Sequence, residues 1–421
     1  MHLRPFFRTF VAKQHMNMKQ IVFALLFCIS LTTSAQNIIK INVTNPLNKI
    51  RTDQPVVINL AKYGEVRSAL VQTGGKEVPS QLDDLDQNET FDELCFLADL
   101  QAKESKTYEV TLSTEGEPRE YPARVYAEML LRNDKVKQKN KHDNYIESIT
   151  ARGDCANSYN IQHHHGVDFE SELNGIRIYF DKRQTLDLYG KYHKRLELKE
   201  TQFYTQPDQK AEGYGDDVLW VGNTFGLGAL RGWDGQQPTM IDPVKTRTQR
   251  IIAYGPLRTI VEVEDKDWML PVSKKKVNMT LRYTQYAGHR DTDVEVFFNI
   301  PMSGEEFSTG IVNVKNSEEF SDHQGLRGCW GTDYPSTDTI NWKRETVGLG
   351  ILIPRQYLLN EKPANKDNYT FVIGTEGKAL SYRIAYCSDN ETFGMHSANE
   401  WFKWMQDWRK EVEKPIIVKT H

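Results

Sequence analysis

The sequence predicts an all-β protein of packed antiparallel sheets, with a small N-terminal β-sandwich domain and a C-terminal helix. Short runs of alternating apolar and polar residues recur along most of the chain, separated by glycine, proline, asparagine and aspartate. Amphipathic helical periodicity is convincing only near the end of the chain. Strands without interleaved helices favour antiparallel sheets over a parallel α/β arrangement.

The first 35 residues are typical of a secretory signal peptide. The basic residue Lys19 precedes the apolar run 21–31, and a small polar segment ends at Ala35, where cleavage is expected. Residues 1–17 are too basic and irregular for such a signal and indicate an over-extended start. Cys28 follows a bulky phenylalanine, whereas a lipoprotein signal has a small residue there. We therefore expect a periplasmic or secreted protein rather than a lipoprotein.

Composition excludes several classes of protein. Lysine and arginine are scattered among aspartate and glutamate, and the formal net charge is −4, so no nucleic-acid-binding surface is predicted. After the signal peptide, no apolar run reaches the roughly 20 residues of a membrane span. Four cysteines remain, far apart and without a C-x-x-C pair, which excludes a zinc ribbon but leaves one or two disulfides or four buried thiols as alternatives.

The predicted N-terminal domain covers residues 36–116. Its aspartate-rich segment, which contains Asp84 and Asp86, has a spacing that calcium loops also show, but it lacks the glycine and distal glutamate of an EF-hand. A hairpin turn is favoured there. The polar, proline-containing stretch 115–122 is typical of a linker.

A larger domain is predicted over residues 123–415. It includes a lysine- and asparagine-rich loop at 133–144, which we expect to be exposed. Its predicted strands are 175–180, 186–198, 250–263, 277–286, 293–300, 346–353, 369–374 and 379–387.

One helix is predicted near the C-terminus. Ser397 and Glu400 form a capping-box pattern, and Pro415 ends the helix. Three tryptophans fall on one face by the 3.6-residue period, and docking of this face on a sheet is favoured over sugar stacking. These tryptophans are Trp401, Trp404 and Trp408.

The first candidate site is the segment IQHHHGVDFE. On a strand, His163 and His165 would share one face and His164 would lie on the other. Two same-face histidines begin a metal site, but no third ligand is identifiable, so a metal is the minor alternative. The alternatives to a metal site are that these histidines bind substrate at a cleft edge or cap a turn beside Gly166.

The second candidate is DLYGKYHKRLEL, predicted as a strand. Tyr189 and Lys191 would share one face, and a bulge at Gly190 would bring Tyr192 and His193 to the same place. Neighbouring cations lower the pKa of a tyrosine, which makes it a better base. The alternative is a solvent-facing strand with lysine and glutamate pairs.

The third candidate is EGYGDDVLWVGNTFGLGALRGWDGQQ. Aromatic rings suit the flat faces of sugars, and arginine suits a carboxylate or sulfate. Gly226 and Gly228 match the first two glycines of the dinucleotide-binding pattern G-x-G-x-x-G, but the third glycine is missing. The chain also has no nucleophile elbow, P-loop or zincin motif. The residues of this type here and at later strand ends are Trp220, Arg231, Trp233, Arg258, His289 and Arg290.

Several segments together resemble a secreted family of unknown function that occurs beside pectin and ulvan degradation enzymes in polysaccharide-degrading bacteria. They are VPSQLDDLD, DELCFLADL, HHHGVDFE, DLYGKY, GYGDDVLWVGNTFGLGAL and YGPLRTIVEVE, and the resemblance covers nearly the whole mature chain. It implies a galactose-mutarotase-like supersandwich. It also implies the chemistry of a relative described as an oligosaccharide dehydratase, which eliminates water from a terminal uronic acid to leave a 4,5-unsaturated sugar.

This resemblance implies a lyase or dehydratase that acts on uronic-acid-containing oligosaccharides and needs no cofactor. β-Elimination requires a base, an acid and a cation that neutralises the uronate carboxylate. The expected catalytic groups are Tyr189, Tyr192, His193 and His165. The expected substrate-binding groups are His163, His164, Lys191, Trp220, Arg231, Trp233, Arg258, His289 and Arg290.

Three other functions remain open from the sequence. A glycoside hydrolase needs two carboxylates across a cleft. A sugar-binding module needs only an aromatic platform, and a mutarotase or epimerase needs a histidine and a carboxylate at the anomeric carbon. The candidate acids for a hydrolase are Asp168, Glu170, Asp216, Asp217 and Asp234.

Overall fold

The computed structural model describes residues 36–153, 155 and 158–421. Antiparallel sheets make up most of it, and one long helix lies near the C-terminus, which confirms the predicted fold class. The predicted signal peptide lies outside the described residues. Within the described residues, every helix is too short or too polar to cross a lipid bilayer.

The strands of the described chain are numbered in order. They are β1 (Gln36–Thr44), β2 (Arg51–Asn59), β3 (Ser68–Thr73), β4 (Lys76–Val78), β5 (Ser80–Asp83), β6 (Glu93–Leu100), β7 (Ser105–Ser113), β8 (Val125–Glu128), β9 (Ser148–Arg152), β10 (Gly166–Ser171), β11 (Gly175–Tyr179), β12 (Leu186–Gly190), β13 (Asp216–Asp217), β14 (Arg231–Trp233), β15 (Pro238–Thr239), β16 (Thr246–Tyr254), β17 (Arg258–Met269), β18 (Lys276–Tyr286), β19 (Asp291–Phe298), β20 (Glu306–Val312), β21 (Glu318–Ser321), β22 (Leu326–Asp333), β23 (Glu345–Leu352), β24 (Leu358–Glu361), β25 (Asn368–Gly374), β26 (Ala379–Ser388) and β27 (Ile417–Thr420).

Three α-helices and three 3-10 turns are described between these strands. The helices are α1 (Leu198–Thr201), α2 (Pro207–Ala211) and α3 (Ala398–Glu413). The 3-10 turns are Ala61–Tyr63, Ser158–Asn160 and His163–His165.

Two sheets near the N-terminus pack around one hydrophobic core. Their strand orders are β27-β1-β7-β3-β4 and β2-β6-β5, and both contribute to a cluster that includes Ile41, Phe96 and Val110. The alternation of apolar and polar residues in these strands places every second side chain inside. The last strand, β27, pairs with β1 at the edge of the first sheet.

Three further sheets surround a second and larger core. Their strand orders are β13-β12-β11-β10-β8, β15-β14-β20-β25-β24 and β21-β22-β23-β26-β19-β18-β17-β16-β9. The core contains Phe169 and Leu188 from the first of these sheets, Phe371 from the second and Val261 and Leu281 from the nine-stranded sheet. We call the first of them the polar sheet, because the face opposite this core carries the charged side chains described below.

Charged and polar contacts join the first core to the nine-stranded sheet. The Arg258 guanidinium pairs with Asp83 and Glu93, and its backbone N–H donates to Gln81 Oε1 at 3.0 Å. Arg124 pairs with Asp53 in the same region. Arg258 is buried by these contacts, so the contacts hold the two parts of the molecule together.

Helix α3 confirms the predicted helix. The Glu400 backbone N–H donates to Ser397 Oγ at 3.3 Å, as a helix N-cap requires. Trp401 is fully buried, and its indole N–H donates to the Leu349 carbonyl at 3.1 Å. A Cβ atom at Gly348 would lie 2.7 Å from the Trp401 ring, so glycine is needed there for close packing. The tryptophan face docks on the sheet, as predicted.

Burial also bears on the cysteines. Cys95, Cys329 and Cys387 are buried thiols, which fits the buried-thiol alternative for these three. Burial raises the pKa of Cys95 and Cys329 to about 12, so both stay protonated at neutral pH.

Candidate functional site

One face of the polar sheet carries charged side chains in a row. Glu128 on β8 lies opposite Asp168 on β10, Asp168 opposite Arg177 on β11, and Arg177 opposite Asp187 on β12. Residues opposite one another on antiparallel strands share a face, so these four side chains form a line across the sheet. We call them the charged row. Helix α1 packs on β8 and β10, and all four side chains are buried.

The segment before β10 is a 3-10 turn rather than the predicted strand. His164 has φ 23 and ψ 24, and His165 has φ 70, which breaks the extended chain. The next residue approaches β11 closely, since a Cβ atom at Gly166 would lie 1.7 Å from the Ile178 carbonyl oxygen. The expectation that His163 and His165 share a strand face is therefore wrong. We call His163–His165 the histidine turn.

His164 lies between the two carboxylates at one end of the charged row. His164 Nε2 is 3.6 Å from Glu128 Oε1 and 3.5 Å from Asp168 Oδ2. The three residues are buried, with exposures of 1%, 1% and 0% for Glu128, His164 and Asp168. Five polar atoms in this group lack a hydrogen-bond partner of acceptable geometry: Glu128 Oε1, both ring nitrogens of His164 and both carboxylate oxygens of Asp168. We call these residues the buried triad.

The electrostatics of the buried triad disfavour charge on its members. Burial raises the pKa of Glu128 to about 8, although the hydrogen bond from Tyr126 lowers it. Burial, followed by the negative charge of Glu128, raises the pKa of Asp168 well above its ordinary value. Burial and then the positive charge of Arg177 lower the pKa of His164 to about 3. The triad could hold a cation, because a cation would offset the cost of burying two carboxylates.

His165 faces a different environment, at the edge of a cleft. Its ring packs edge-on against Tyr159, with centroids 5.0 Å apart, and stacks on Tyr179 at 6.0 Å. The Arg183 guanidinium lies 5.5 Å from the Tyr159 ring and 4.8 Å from the Tyr179 ring. His165 Nδ1 has no hydrogen-bond partner, and burial lowers the pKa of this histidine to about 4.

Trp220 extends this group along the surface. Its indole is half-exposed, and a Cβ atom at Gly222 would lie 3.4 Å from its Nε1 atom. The Gly222 carbonyl accepts a hydrogen bond from Arg183 at 3.3 Å. These contacts connect Trp220 to the arginine. Tyr159 and Arg183 line one cavity, while His165 and Trp220 each line a neighbouring one. We call the group formed by Tyr159, His165, Tyr179, Arg183 and Trp220 the aromatic cleft.

Two cavities flank the histidine turn. One of about 360 Å³ is lined by all three of its histidines and by Tyr204. Here His163 Nε2 is 2.5 Å from the Lys139 carbonyl oxygen, and the ring stacks on His142 with centroids 3.7 Å apart. The other cavity, of about 530 Å³, is lined by Tyr159 and Arg183 among others. Most of the loop at 133–144 is exposed, as predicted, but Asn140 and His142 are buried.

Arg177, at the centre of the charged row, is shared by two carboxylates. It pairs with Asp187 and lies 3.6 Å from Asp217 Oδ2. Tyr179 donates to Asp187 Oδ2 at 3.1 Å. Burial and then the negative charge of Asp187 raise the pKa of Asp217 well above its ordinary value. Asp217 is thus a carboxyl group that retains its proton more readily than usual.

The predicted convergence of Tyr189, Lys191, Tyr192 and His193 is not observed, and the predicted strand 186–198 ends at Gly190. Tyr189 is fully buried, and its hydroxyl contacts Thr205 Oγ1 and the Gly215 carbonyl. Burial raises its pKa well above the ordinary value, so it is no base. Tyr192 and His193 are exposed instead.

Lys191 is also buried rather than displayed to a substrate. Its ammonium pairs with Glu170 and donates to the carbonyls of Ser171 and Arg195 at 2.6 and 2.7 Å. The Glu170 carboxylate accepts further hydrogen bonds from the backbone of Glu197 and Leu198. This cation is therefore fully used inside the protein.

Most of the other predicted binding residues are also internal. Arg231 is buried and donates to Thr185 and to the Leu230 and Thr224 carbonyls, and burial lowers its pKa to about 10. Trp233 is 4% exposed. Three further residues lie near the junction of the two cores. Arg258 is buried in the contacts described above, and Arg290 pairs with Glu391. His289 contacts Asp291 and the Asp53 carbonyl.

The candidate acids for a hydrolase are scattered. Asp168 belongs to the buried triad and Glu170 to the Lys191 pair, while Asp216 pairs with Lys210. Asp234 accepts two backbone hydrogen bonds in an exposed turn. Only Asp217 lies near the charged row and is partly accessible, with 19% of its side chain exposed.

Sequence reasoning missed Glu128 as a partner of His164, and Arg177, Tyr179 and Arg183 as site residues. A signal was present, because the short strands VYAE and VDFE each place a charged residue in otherwise apolar surroundings. Charged residues at a buried strand position are uncommon and point to function. What the sequence lacks is the register that sets Glu128 beside Asp168.

Comparison with known proteins identifies a family match. The model of the family described as "Domain of unknown function (DUF4861)" matches residues 43–418. No curated protein matches.

Two solved structures resemble this chain. One is a protein in the glycosyl hydrolase family 38 from Enterococcus faecalis, with a TM-score of 0.49 and 10% identity, covering 91% of this chain and 47% of that one. The other is an alpha-mannosidase from Enterococcus faecalis V583, with a TM-score of 0.45 and 10% identity, covering 96% and 48%. The chain spans about half the length of these two proteins.

Proposed function

The chain belongs to the DUF4861 family, and from its site we propose that it is a carbohydrate-active enzyme that eliminates water from a terminal uronic-acid residue of an oligosaccharide. The observation that carries this proposal is the composition of the aromatic cleft. A partly exposed histidine packs against two tyrosine rings that also contact an arginine, and a half-exposed tryptophan follows. The predicted signal peptide supports a periplasmic or secreted location.

The cleft contains a group for each requirement of the reaction. Trp220 offers a flat apolar surface to a sugar ring. Arg183 uses three of its five N–H donors on Asp181 and Gly222, which leaves two for the uronate carboxylate. Neutralising that carboxylate makes the C5 proton more acidic, because negative charge develops on it as the proton leaves.

In the proposed reaction, the partly exposed His165 imidazole takes the C5 proton. The electron pair of the C5–H bond forms the C4=C5 double bond, and the C4–O bond breaks. The departing hydroxyl leaves as water after it receives a proton from the Tyr159 hydroxyl, whose ring packs against that of His165. The proton on His165 then returns to Tyr159, which restores both groups.

The test is incubation with oligosaccharides that end in a saturated uronate: galacturonate for pectin-like polymers, and glucuronate or iduronate for ulvan-like polymers. We expect a product lighter by one water, with the ultraviolet absorbance of a 4,5-unsaturated uronate. His165→Ala should lower kcat by about 10²- to 10⁴-fold, the usual contribution of a general base. The exposed His396 provides the control, since His396→Ala should retain the wild-type rate. Absence of the unsaturated product from all of these substrates would refute the proposal.

A glycoside hydrolase is the second candidate, and Asp217 is the observation that favours it. A partly exposed carboxyl group with a raised pKa is suited to donate a proton to a glycosidic oxygen. New reducing ends without unsaturation, lost in Asp217→Asn and kept in His165→Ala, would select this function over elimination.

A further inference from the structure

The buried triad is built as a binding site for a cation. Glu128, His164 and Asp168 come from β8, the histidine turn and β10, and their ligand atoms all lie within 4.8 Å of one another. Buried polar groups in proteins nearly always have hydrogen-bond partners, and an unpaired one costs about 1–3 kcal/mol. The triad contains five unpaired polar atoms in three residues that lie side by side, and so many unpaired atoms in one place need a physical explanation.

Hydrogen bonding within the triad does not supply this reason. His164 Nε2 is 3.6 and 3.5 Å from the two carboxylate oxygens, which is longer than the usual N–H···O distance of about 2.7–3.2 Å. Two ligand atoms about 2.1 Å from a tetrahedral metal ion are about 3.4 Å apart. The distances from His164 Nε2 to the two carboxylate oxygens are close to this ligand spacing.

The surroundings also suit a metal. Tyr126 donates to Glu128 Oε2 at 2.8 Å and leaves Oε1 to face His164. Such a contact from outside the ligand set orients a carboxylate ligand. The neighbouring His163 is not available as a ligand, because its Nε2 contacts the Lys139 carbonyl.

We propose that Glu128, His164 and Asp168 bind one divalent transition-metal ion, such as Zn²⁺ or Mn²⁺. One imidazole nitrogen and two carboxylate oxygens suit these ions, and two carboxylates balance the charge of a divalent ion. The ion joins the histidine turn to β8 and β10 and fixes the turn that presents His165 to the aromatic cleft. The site does not depend on the proposed reaction, because its evidence lies in the triad alone.

The experiment measures metal binding by the full chain. The protein is stripped with a chelator and titrated calorimetrically with ZnCl2 or MnCl2, and the metal content of the purified protein is measured by mass spectrometry. We expect about one ion per chain and a higher Tm in the loaded protein, because an ion that binds only the folded state stabilises it. No saturable binding and no change in Tm would overturn the proposal.

Variants assign the ligands. His164→Ala and Glu128→Gln should weaken binding by about 100-fold or more, whereas His163→Ala should retain the wild-type affinity. Circular dichroism establishes that each variant is folded. In the Co²⁺-loaded wild type, the visible absorption reports nitrogen and oxygen ligands, and Glu128→Gln should change it. Equal affinity in wild type, His164→Ala and Glu128→Gln would show that any bound ion lies elsewhere.

Discussion

The histidine turn and the stretch from Asp187 to Leu198 carry similar side chains and use them in opposite ways. In the second stretch, the Lys191 ammonium and the Tyr189 hydroxyl are buried with their hydrogen bonds complete. In the first, His164 is buried with neither ring nitrogen bonded, between carboxylates that are also unsatisfied. A dense group of titratable residues therefore indicates a site only where some of its polar atoms lack hydrogen-bond partners.

The largest effect is expected from Lys191, in the stretch from Asp187 to Leu198 whose buried groups are hydrogen-bonded. Lys191→Ala leaves Glu170 buried without its cation, and losing one partner of a buried ion pair costs about 3–5 kcal/mol. Urea unfolding of the variant measures this loss. The exposed Lys199 provides the control, since Lys199→Ala should change the free energy of unfolding by less than about 0.5 kcal/mol. Equal stability of the two variants would contradict the structural role of Lys191.

The next prediction has the opposite sign. Asp168→Ala removes an unsatisfied buried carboxyl group, so in the metal-free protein we expect stability to rise by about 1–2 kcal/mol while metal binding is lost. Asp265 is a matched control, because it is equally buried but bonded to Arg247 and Gln184. Asp265→Ala should destabilise the protein. If both variants lose stability in thermal unfolding, the Asp168 carboxyl group does have stabilising partners, and the prediction is wrong.

Tyr189→Phe tests whether the stretch from Asp187 to Leu198 takes part in the proposed elimination. Loss of the hydroxyl removes hydrogen bonds to Thr205 and Gly215, at a cost of about 1 kcal/mol. We expect kcat on uronate oligosaccharides to stay at the wild-type value, since the hydroxyl faces the interior. A large fall in kcat in a folded variant would return Tyr189 to the mechanism.

The smallest effect concerns a histidine whose two nitrogens are both bonded. Burial lowers the pKa of His289, but the hydrogen bond and charge of Asp291 outweigh it and raise the pKa above the ordinary value. Burial raises the pKa of Asp291, yet His289 and Arg383 bring it below the ordinary value.

These shifts define a pH window. The contribution of His289 is complete below its unfolded pKa of about 6.5 and is lost as pH rises through the raised folded value. That of Asp291 is present above about pH 4 and is lost as pH falls through its lowered folded value. The Tm difference between wild type and His289→Gln should therefore be largest at about pH 5–6 and shrink as pH rises above about 6.5 through the raised folded pKa of His289. A constant difference would contradict the pairing.

Local patterns predicted much of the fold. Alternation identified seven strands of the larger core, which are β11, β12, β18, β19, β23, β25 and β26, but it missed most of the shorter ones. The single strand predicted at 250–263 is two strands, the end of β16 and the start of β17, with a turn between them. The Ser397 cap and the tryptophan period identified α3, because both depend on residues near in sequence. The histidine turn was missed because the left-handed backbone of His164 and His165 accompanies the close approach of Gly166 to β11. No local pattern of the segment itself indicates that approach.

The site was predictable only in part. His165 and Trp220 were among the predicted residues and lie in the aromatic cleft, but Lys191 was expected to bind substrate and is internal. Its partner Glu170 is on another strand, and charge density along the sequence does not reveal such a partner. Glu128 is likewise brought to Asp168 by strand register, which a single sequence does not specify.

The pairing of β27 with β1 has a consequence for biosynthesis. The strand that covers the edge of β1 is made only after the whole nine-stranded sheet has been translated. Until then, the edge of β1 offers unpaired backbone groups to any neighbouring strand, which is a recognised route to aggregation. The edge of β1 in the early sandwich therefore stays open to such pairing until the last strand of the chain is in place.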